Sequence, residues 1–199
     1  MSEGSQAVVD EVLGILARSV DEAYIGEPVS QLTHMLQGAY FAERAGGTEE
    51  EILGVLLHDI GHLCAPVDAP RMASLGVLDH EGIGARFLEA RGFSPTICEL
   101  VCGHVNAKRY LVSQNERYRN NLSAASRGTL AFQGGPMSAE EAAAFEQHPL
   151  FKGILRVRTW DERGKEVGLL VPGLAHYAPM MTRHLAESET DPPVALVVP

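Results

Sequence analysis

The chain has 199 residues, 45% of them hydrophobic, and a formal net charge of −10 at pH 7. That length supports one well-buried core, and a single domain is expected over residues 1–187. The acidic balance argues against nucleic acid or an anionic membrane as partner. No apolar run approaches the roughly 18–20 residues of a membrane span, and the N-terminal MSEGSQ does not read as a signal peptide.

In chain order, Val8-Val9, Val12-Leu13 and Leu16 recur with helical period and predict a first helix to about Ser19. Asp21 to Pro28 follows as a turn-rich segment punctuated by Gly26 and Pro28. Val29 to Ala45 reads as a helix carrying His34, with Gly46-Gly47 as its stop. Thr48-Glu49-Glu50-Glu51 is a capping box, opening an apolar helix that carries His58-Asp59 and is expected to end near His62. Residues 64–77, with two prolines and a glycine, form a long loop of the kind that covers sites.

Asp79-His80-Glu81 opens the next helix, which stops at Gly92. Ser94-Pro95 is a strong start for a helix running through His104 and Lys108. Ser113 to Asn121 is polar and expected to be irregular. Short helices are expected from Ser123 to Phe132 and, behind a second capping box at Ser138, to Gln147. After Pro149 a helix bearing Trp160 delivers Asp161, and Leu174 to Glu187 is the last helix. Residues 188–199, rich in Pro and Val, read as a disordered tail. Nothing alternates like a sheet, so the fold class is all-α. Cys64, Cys98 and Cys102 are odd in number and lack Cys-x-x-Cys spacing, which points to buried free thiols and a reducing cytoplasm.

The adjacent His58-Asp59 pair at the end of an apolar helix is the chemical anomaly, since neither side chain enters a core cheaply without a partner. A metal suits both: imidazole nitrogen with carboxylate oxygen fits iron, manganese or zinc. The chain supplies further ligands in His34, His80, His104 and Asp161. A carboxylate has two oxygens and can bridge two ions, which an imidazole cannot, so Asp59 is the natural bridge. His34, His58 and Asp161 would complete one site; His80 and His104 would hold the second. A single helix histidine is more often satisfied or solvent-facing; the set of six is hard to meet by chance. His148, His176 and His184 lack this context and read as surface or structural. His62 lies four residues from His58, expected on the same helix face, and Lys108 stands in the same relation to His104.

The order His…His-Asp…Asp resembles the HD-domain metalloprotein superfamily. Tyr24-Ile25-Gly26-Glu27, His58 to His62, His80-Glu81, Gly103 to Ser113, Ser126-Arg127, Gln133 to Met137 and Trp160-Asp161-Glu162 more narrowly resemble its phosphonate-cleaving diiron oxygenases. The resemblance implies a helical bundle around two irons, a mixed ferrous–ferric pair, with dioxygen as co-substrate. The implied reaction converts 1-hydroxy-2-aminoethylphosphonate or its trimethylammonium analogue to phosphate and glycine or glycine betaine. It further implies Tyr24 as a ligand of the second iron at rest and Glu27 facing the substrate's cationic nitrogen. His62, Lys108 and Ser126 are implied around the phosphonate, and a phosphonate hydroxylase as the preceding enzyme. Arg158 is a weaker candidate, beside Asp161. Oxidising a carbinol carbon to a carboxylate while breaking its bond to phosphorus removes four electrons. Dioxygen accepts all four, so no nicotinamide or flavin motif is needed. The competing readings are an HD-domain metal-dependent phosphohydrolase, in which bridged metals generate hydroxide, and a noncatalytic signalling module.

Overall fold

A computed structural model describes residues 3–24 and 26–190. Eleven helices account for the regular structure among them: α1 (Glu3–Ala17), α2 (Gln31–Arg44), α3 (Glu49–Leu57), α4 (Ile60–Cys64), α5 (His80–Glu89), α6 (Pro95–Gln114), α7 (Glu116–Asn121), α8 (Ala124–Phe132), α9 (Ala139–Glu146), α10 (Phe151–Arg163) and α11 (Leu174–Thr190). No strand forms among the described residues; two isolated β-bridges, Ala23 with Ser30 and Arg71 with Val77, pin turns. The all-α expectation holds.

The bundle is organised around α3. Its sequence, EEEILGVLL, is apolar on every side after the first turn, and such a helix must be surrounded. It is: α2, α6, α10 and α11 all pack on it. Leu53, Val55, Leu56 and Leu57 are fully buried. The capping box starts the helix as expected, with Thr48 accepting from the Glu51 N–H and the Glu51 carboxylate accepting from the Thr48 N–H. Around this axis α10 packs on both α2 and α6, α5 packs on α6, and α4 packs on α5. Trp160 and Val157 of α10 and Val101 of α6 complete the core beside the future site.

Four expectations need correction. The helix from Thr48 does not run to His62. It breaks at His58-Asp59, where Asp59 (φ −100°, ψ 7°) leaves helical geometry and α4 begins afresh at Ile60. Residues 113–121 are not irregular: α6 continues to Gln114, and Asn115 caps α7 by accepting from the Tyr118 N–H. The Arg119 guanidinium then satisfies the Val112 carbonyl near the end of α6. The three cysteines are free, but Cys102 is exposed and Cys64 and Cys98 only partly buried. Helix α1, from Glu3, ends at Ala17, just short of the expected Ser19, and α11 runs past the expected Glu187 to Thr190. The rest of the expected tail, 191–199, lies outside the described residues, as does Ile25.

Candidate metal centre and its cavity

Four histidines converge where α2, the α3–α4 break, α5 and α6 meet, and their backbones decide which nitrogen faces inward. The His34 Nδ1 lies 2.9 Å from the Gly164 carbonyl, the His58 Nδ1 2.7 Å from that of Val55, and the His104 Nδ1 2.7 Å from that of Val101. A carbonyl can only accept, so each Nδ1 carries a proton, and in the neutral ring the lone pair is left on the inward Nε2, the tautomer a metal requires. His80 turns its Nδ1 toward Glu81 Oε2 at 3.2 Å, without hydrogen-bond geometry.

The inward nitrogens form two pairs. His34 Nε2 and His58 Nε2 are 3.1 Å apart, and so are His80 Nε2 and His104 Nε2. Asp59 divides them: Oδ2 lies 3.3 Å from His58 Nε2 and 3.7 Å from His34 Nε2, while Oδ1 lies 3.3 Å from His80 and 3.8 Å from His104. Asp161 Oδ1 joins the first pair, 3.4 Å from His34 and 3.7 Å from His58. All six side chains are buried. Lone pairs facing each other, beside the buried oxygens Asp59 Oδ2 and Asp161 Oδ1 that have no hydrogen bond, are tolerable only around positive charge. The donor set therefore fits metal, and His34, His58 and Asp59 alone span a distance one ion could bridge.

The electrostatics carry the same message. Burial works against a charge on His58, yet Asp59 and Asp161 outweigh it and push its pKa up to about 9. Burial would equally raise Asp59 and Asp161, but His58 beside the former, and Arg158 and His58 beside the latter, hold both carboxyls well below the usual range. Burial, then His58 and His80, press His104 well below the ordinary imidazole value. Two carboxylates thus demand cationic compensation, which falls on a protonated His58 and on Arg158 where no metal supplies it.

Close backbone approaches make the cage possible. A Cβ on Gly61 would sit 1.8 Å from the His80 carbonyl oxygen, so only glycine lets α4 seat the start of α5 against Asp59. A Cβ on Gly164 would lie 2.7 Å from the His34 carbonyl oxygen, where Gly164 itself receives the His34 proton.

A cavity of about 60 Å³ adjoins the cage, lined by Tyr24, Glu27, His62, Lys108 and Ser126 as well as by Asp59, His80, His104 and Asp161. His62 does not share a helix with His58, because the helix breaks between them. It reaches the site by stacking on His80, with ring centroids 4.0 Å apart. Its Nδ1 accepts from the Val77 N–H, so its Nε2 bears the proton. Although His62 could group with Asp59 and His80 around an ion, a protonated Nε2 makes it a donor rather than a ligand. Burial, then His80, draws its pKa down to about 3, which keeps it neutral. Lys108 is buried, and its Nζ donates to Thr129 Oγ1 at 2.9 Å. Burial, then Arg158, lowers its pKa to about 7.

Tyr24 lies flat on His34, centroids 3.8 Å apart and planes 12° from parallel. The turn that presents it is tied by Tyr24 N–H to the Val29 carbonyl and Glu27 N–H to the Tyr24 carbonyl. Burial, then Asp59 and Asp161, hold its phenol well above the usual range. Glu27 pairs with Lys165, 3.1 Å away. Arg158 is buried and ion-paired to Asp161 and Glu162, and its Nε donates to the Tyr118 hydroxyl. The peripheral histidines are accounted for: His148 meets Glu99, His176 meets Glu43, and His184 accepts from the Ser94 N–H.

The residue types alone did not point to Thr129, Gln31, Met72, Leu75 or Lys165. Gln133, which also lines the cavity, lies inside the Gln133 to Met137 stretch but had no role assigned there. Thr129, one turn beyond Ser126 on α8, was discoverable by helical spacing.

The HD-domain family model matches residues 32–133. The chain is 46% identical to the [1-hydroxy-2-(trimethylamino)ethyl]phosphonate dioxygenase (glycine-betaine-forming) of Leisingera caerulea, across 88% of this chain and 89% of that protein. It is 41% identical to the hydroxymethylphosphonate dioxygenase of Gimesia maris, across 78% of each. An uncharacterized protein of Acanthamoeba polyphaga mimivirus is 39% identical across 90% of this chain and 83% of its own.

Proposed function

We propose, from the premise that the chain belongs to the HD-domain phosphonate dioxygenases, that it uses dioxygen to cleave the carbon–phosphorus bond of a 1-hydroxyphosphonate. The products are phosphate and a carboxylate: glycine from 1-hydroxy-2-aminoethylphosphonate, glycine betaine from the trimethylammonium analogue. The balance closes with one dioxygen: four electrons leave the carbinol carbon and its bond to phosphorus, and both oxygen atoms enter the products. The observation that carries this reading is the double cage of opposed imidazole nitrogens divided by Asp59, opening onto a cavity that combines Lys108, His62 and Ser126 with the Glu27 carboxylate.

In this reading His34, His58, Asp59 and Asp161 hold one iron, and Asp59, His80 and His104 the other. The irons, a ferrous–ferric pair, would supply dioxygen activation and electron exchange. The chain's own groups do the rest. Lys108 Nζ and the His62 Nε2–H donate to phosphonate oxygens, with Ser126 beside them, and so fix the carbinol end against the cage. Glu27 faces the substrate's nitrogen. Tyr24, stacked on His34 and lining the cavity, would serve as a resting ligand of the second iron and cover the cage until substrate enters. Arg158 holds Asp161 through a charged contact and keeps its carboxylate aimed at His34 and His58.

The substrate's hydroxyl must be installed first, so the supplying reaction is a phosphonate hydroxylation. The free thiols suit the reducing cytoplasm we propose as the setting, and no described helix is long and apolar enough to cross a membrane. The test is phosphate release from the aminoethyl, trimethylaminoethyl and hydroxymethyl compounds by iron-loaded protein, under air and under argon. Release under air in step with dioxygen consumption, and none under argon, is expected. Equal release under argon would make the protein a hydrolase.

A further inference from the structure

Five charged side chains form one alternating row between the cage and the cavity. Asp161 pairs with Arg158 Nη1, and Arg158 Nη2 with Glu162. Lys165 Nζ lies 3.5 Å from Glu162 Oε2 and 3.1 Å from Glu27 Oε1. Residues 158, 161 and 162 fall on one side of α10, and Lys165 follows two residues past its end at Arg163, so a single segment carries four of the five. Lys165 and Glu27 are both largely withdrawn from solvent, with side chains 14% and 10% exposed.

The two ends of this row face different things. Glu27 lines the cavity, whereas Lys165 lies outside its lining and approaches the carboxylate from behind. The contact lacks hydrogen-bond geometry, and Glu27 Oε1 has no hydrogen bond among the described residues. The carboxylate therefore keeps a lone pair for another donor while its charge is already partly offset. Glu162 cannot fully absorb Lys165, because Glu162 is shared with Arg158. A carboxylate so balanced attracts a cation less strongly than a bare one, since the interaction with an incoming cation is reduced by the Lys165 charge beside it.

We propose that Lys165 is a specificity-determining residue for the hydroxyphosphonate reaction: it offsets Glu27 and so limits how strongly the site favours substrates with a cationic nitrogen over those without one. This rests on the oxygenase reading above. Glu27 alone would select a charged nitrogen; Glu27 with Lys165 behind it tolerates a substrate without one.

The experiment compares wild type, Lys165→Met and Lys165→Arg on the trimethylaminoethyl and hydroxymethyl hydroxyphosphonates. It measures kcat and KM in air, and affinity by calorimetry under argon, where no turnover occurs. Lys165→Met is expected to lower KM and Kd for the cationic compound by about three- to tenfold, as for loss of a partly screened neighbouring charge. kcat and the values for the hydroxymethyl compound should stay close to wild type, and Lys165→Arg should behave as wild type. Equal shifts for the two compounds, or a weaker grip on the cationic one, would overturn the proposal and leave Lys165 merely holding the 162–165 turn. The two ideas fail separately: a wild type that releases no phosphate from either compound counts against the function, and an active wild type with charge-independent shifts counts against Lys165 alone.

Discussion

The cage and the cavity wall are built differently. Every cage residue belongs to a helix or to the junction of two, and three of the four histidines are locked by their own Nδ1 to a backbone carbonyl. The wall mixes connections, the Tyr24–Val29 turn and Met72 and Leu75 in the loop between α4 and α5, with helix-borne groups: His62 of α4, Lys108 of α6 and one face of α8. The cavity they enclose, about 60 Å³, is far below the roughly 300–1,000 Å³ of ordinary ligand clefts. A rigid donor set costs no reorganisation when it receives its ions. The turns in that wall can yield to a substrate larger than the resting space. The donor set is therefore fixed by the helices, while the room beside it depends in part on the connections.

The largest effect should come from the one residue that serves both halves of the cage. Asp59→Ala removes the carboxylate lying between the histidine pairs and is expected to abolish nearly all metal binding and all activity. His104→Ala should lose chiefly one equivalent, because the His34, His58 and Asp161 donors remain. Metal content by elemental mass spectrometry decides the matter. Full loading of Asp59→Ala would mean that the two histidine pairs are independent sites and that the cage is not one unit.

The same contrast governs what the sequence revealed. The six cage residues were legible because metal ligation restricts residue type, and His34, His58, Asp59, His80, His104 and Asp161 are of the right types in one suggestive order. Their convergence required only that the helices pack, which the apolar run of α3 enforces. The break at His58-Asp59 was not legible: Ile60, Leu63 and the earlier leucines keep helical period straight through it. It results from the fit of Gly61 against the start of α5, a tertiary contact. The tautomer of His62 depends likewise on the Val77 N–H, delivered by the intervening loop. Lys165 reads as a surface lysine until folding brings it behind Glu27. Helix α7 was missed for a smaller reason, the polar composition of residues 113–121, in which Asn115 as a cap was the available signal.

Lys108 stands where the two regions meet, on the long helix of His104 but facing the wall. Lys108→Ala should leave metal content unchanged and raise KM for a hydroxyphosphonate by roughly 10- to 150-fold, the equivalent of about 1.5–3 kcal/mol for a charge-assisted contact. Its pH dependence has a definite sign. Burial, then Arg158, bring its pKa from 10.5 to about 7 in the folded chain. Between those values the unfolded chain binds the extra proton, so stability rises with pH across that window and the contribution is flat below it. Binding needs the ammonium form, so kcat/KM should fall as pH rises through about 7. Lys108→Arg, protonated throughout, should carry that fall to higher pH. Comparing the two on one substrate cancels the substrate's own ionisation. Unchanged KM in Lys108→Ala would place the phosphonate elsewhere on the wall.

Tyr24→Phe should have the smallest effect on turnover, yet it is the sharpest probe of whether the wall touches the metals at rest. The ring lies face-on against His34, and phenylalanine preserves that contact, so folding and metal content should match wild type. Only the hydroxyl is lost. Without a cation nearby, burial and the two carboxylates keep that hydroxyl protonated; a ferric ion within reach would reverse the balance and favour the phenolate. The oxidised wild-type protein is then expected to show a visible phenolate-to-iron absorption band, absent in Tyr24→Phe and bleached in wild type when a hydroxyphosphonate is added under argon. The variant should also lose activity faster when stored under air without substrate, because the open position is no longer covered, while its initial kcat stays within a few-fold of wild type. A band that survives in Tyr24→Phe, or that never appears in the wild type, would reduce Tyr24 to a packing partner of His34. The cage would then be closed to dioxygen by the cramped cavity alone.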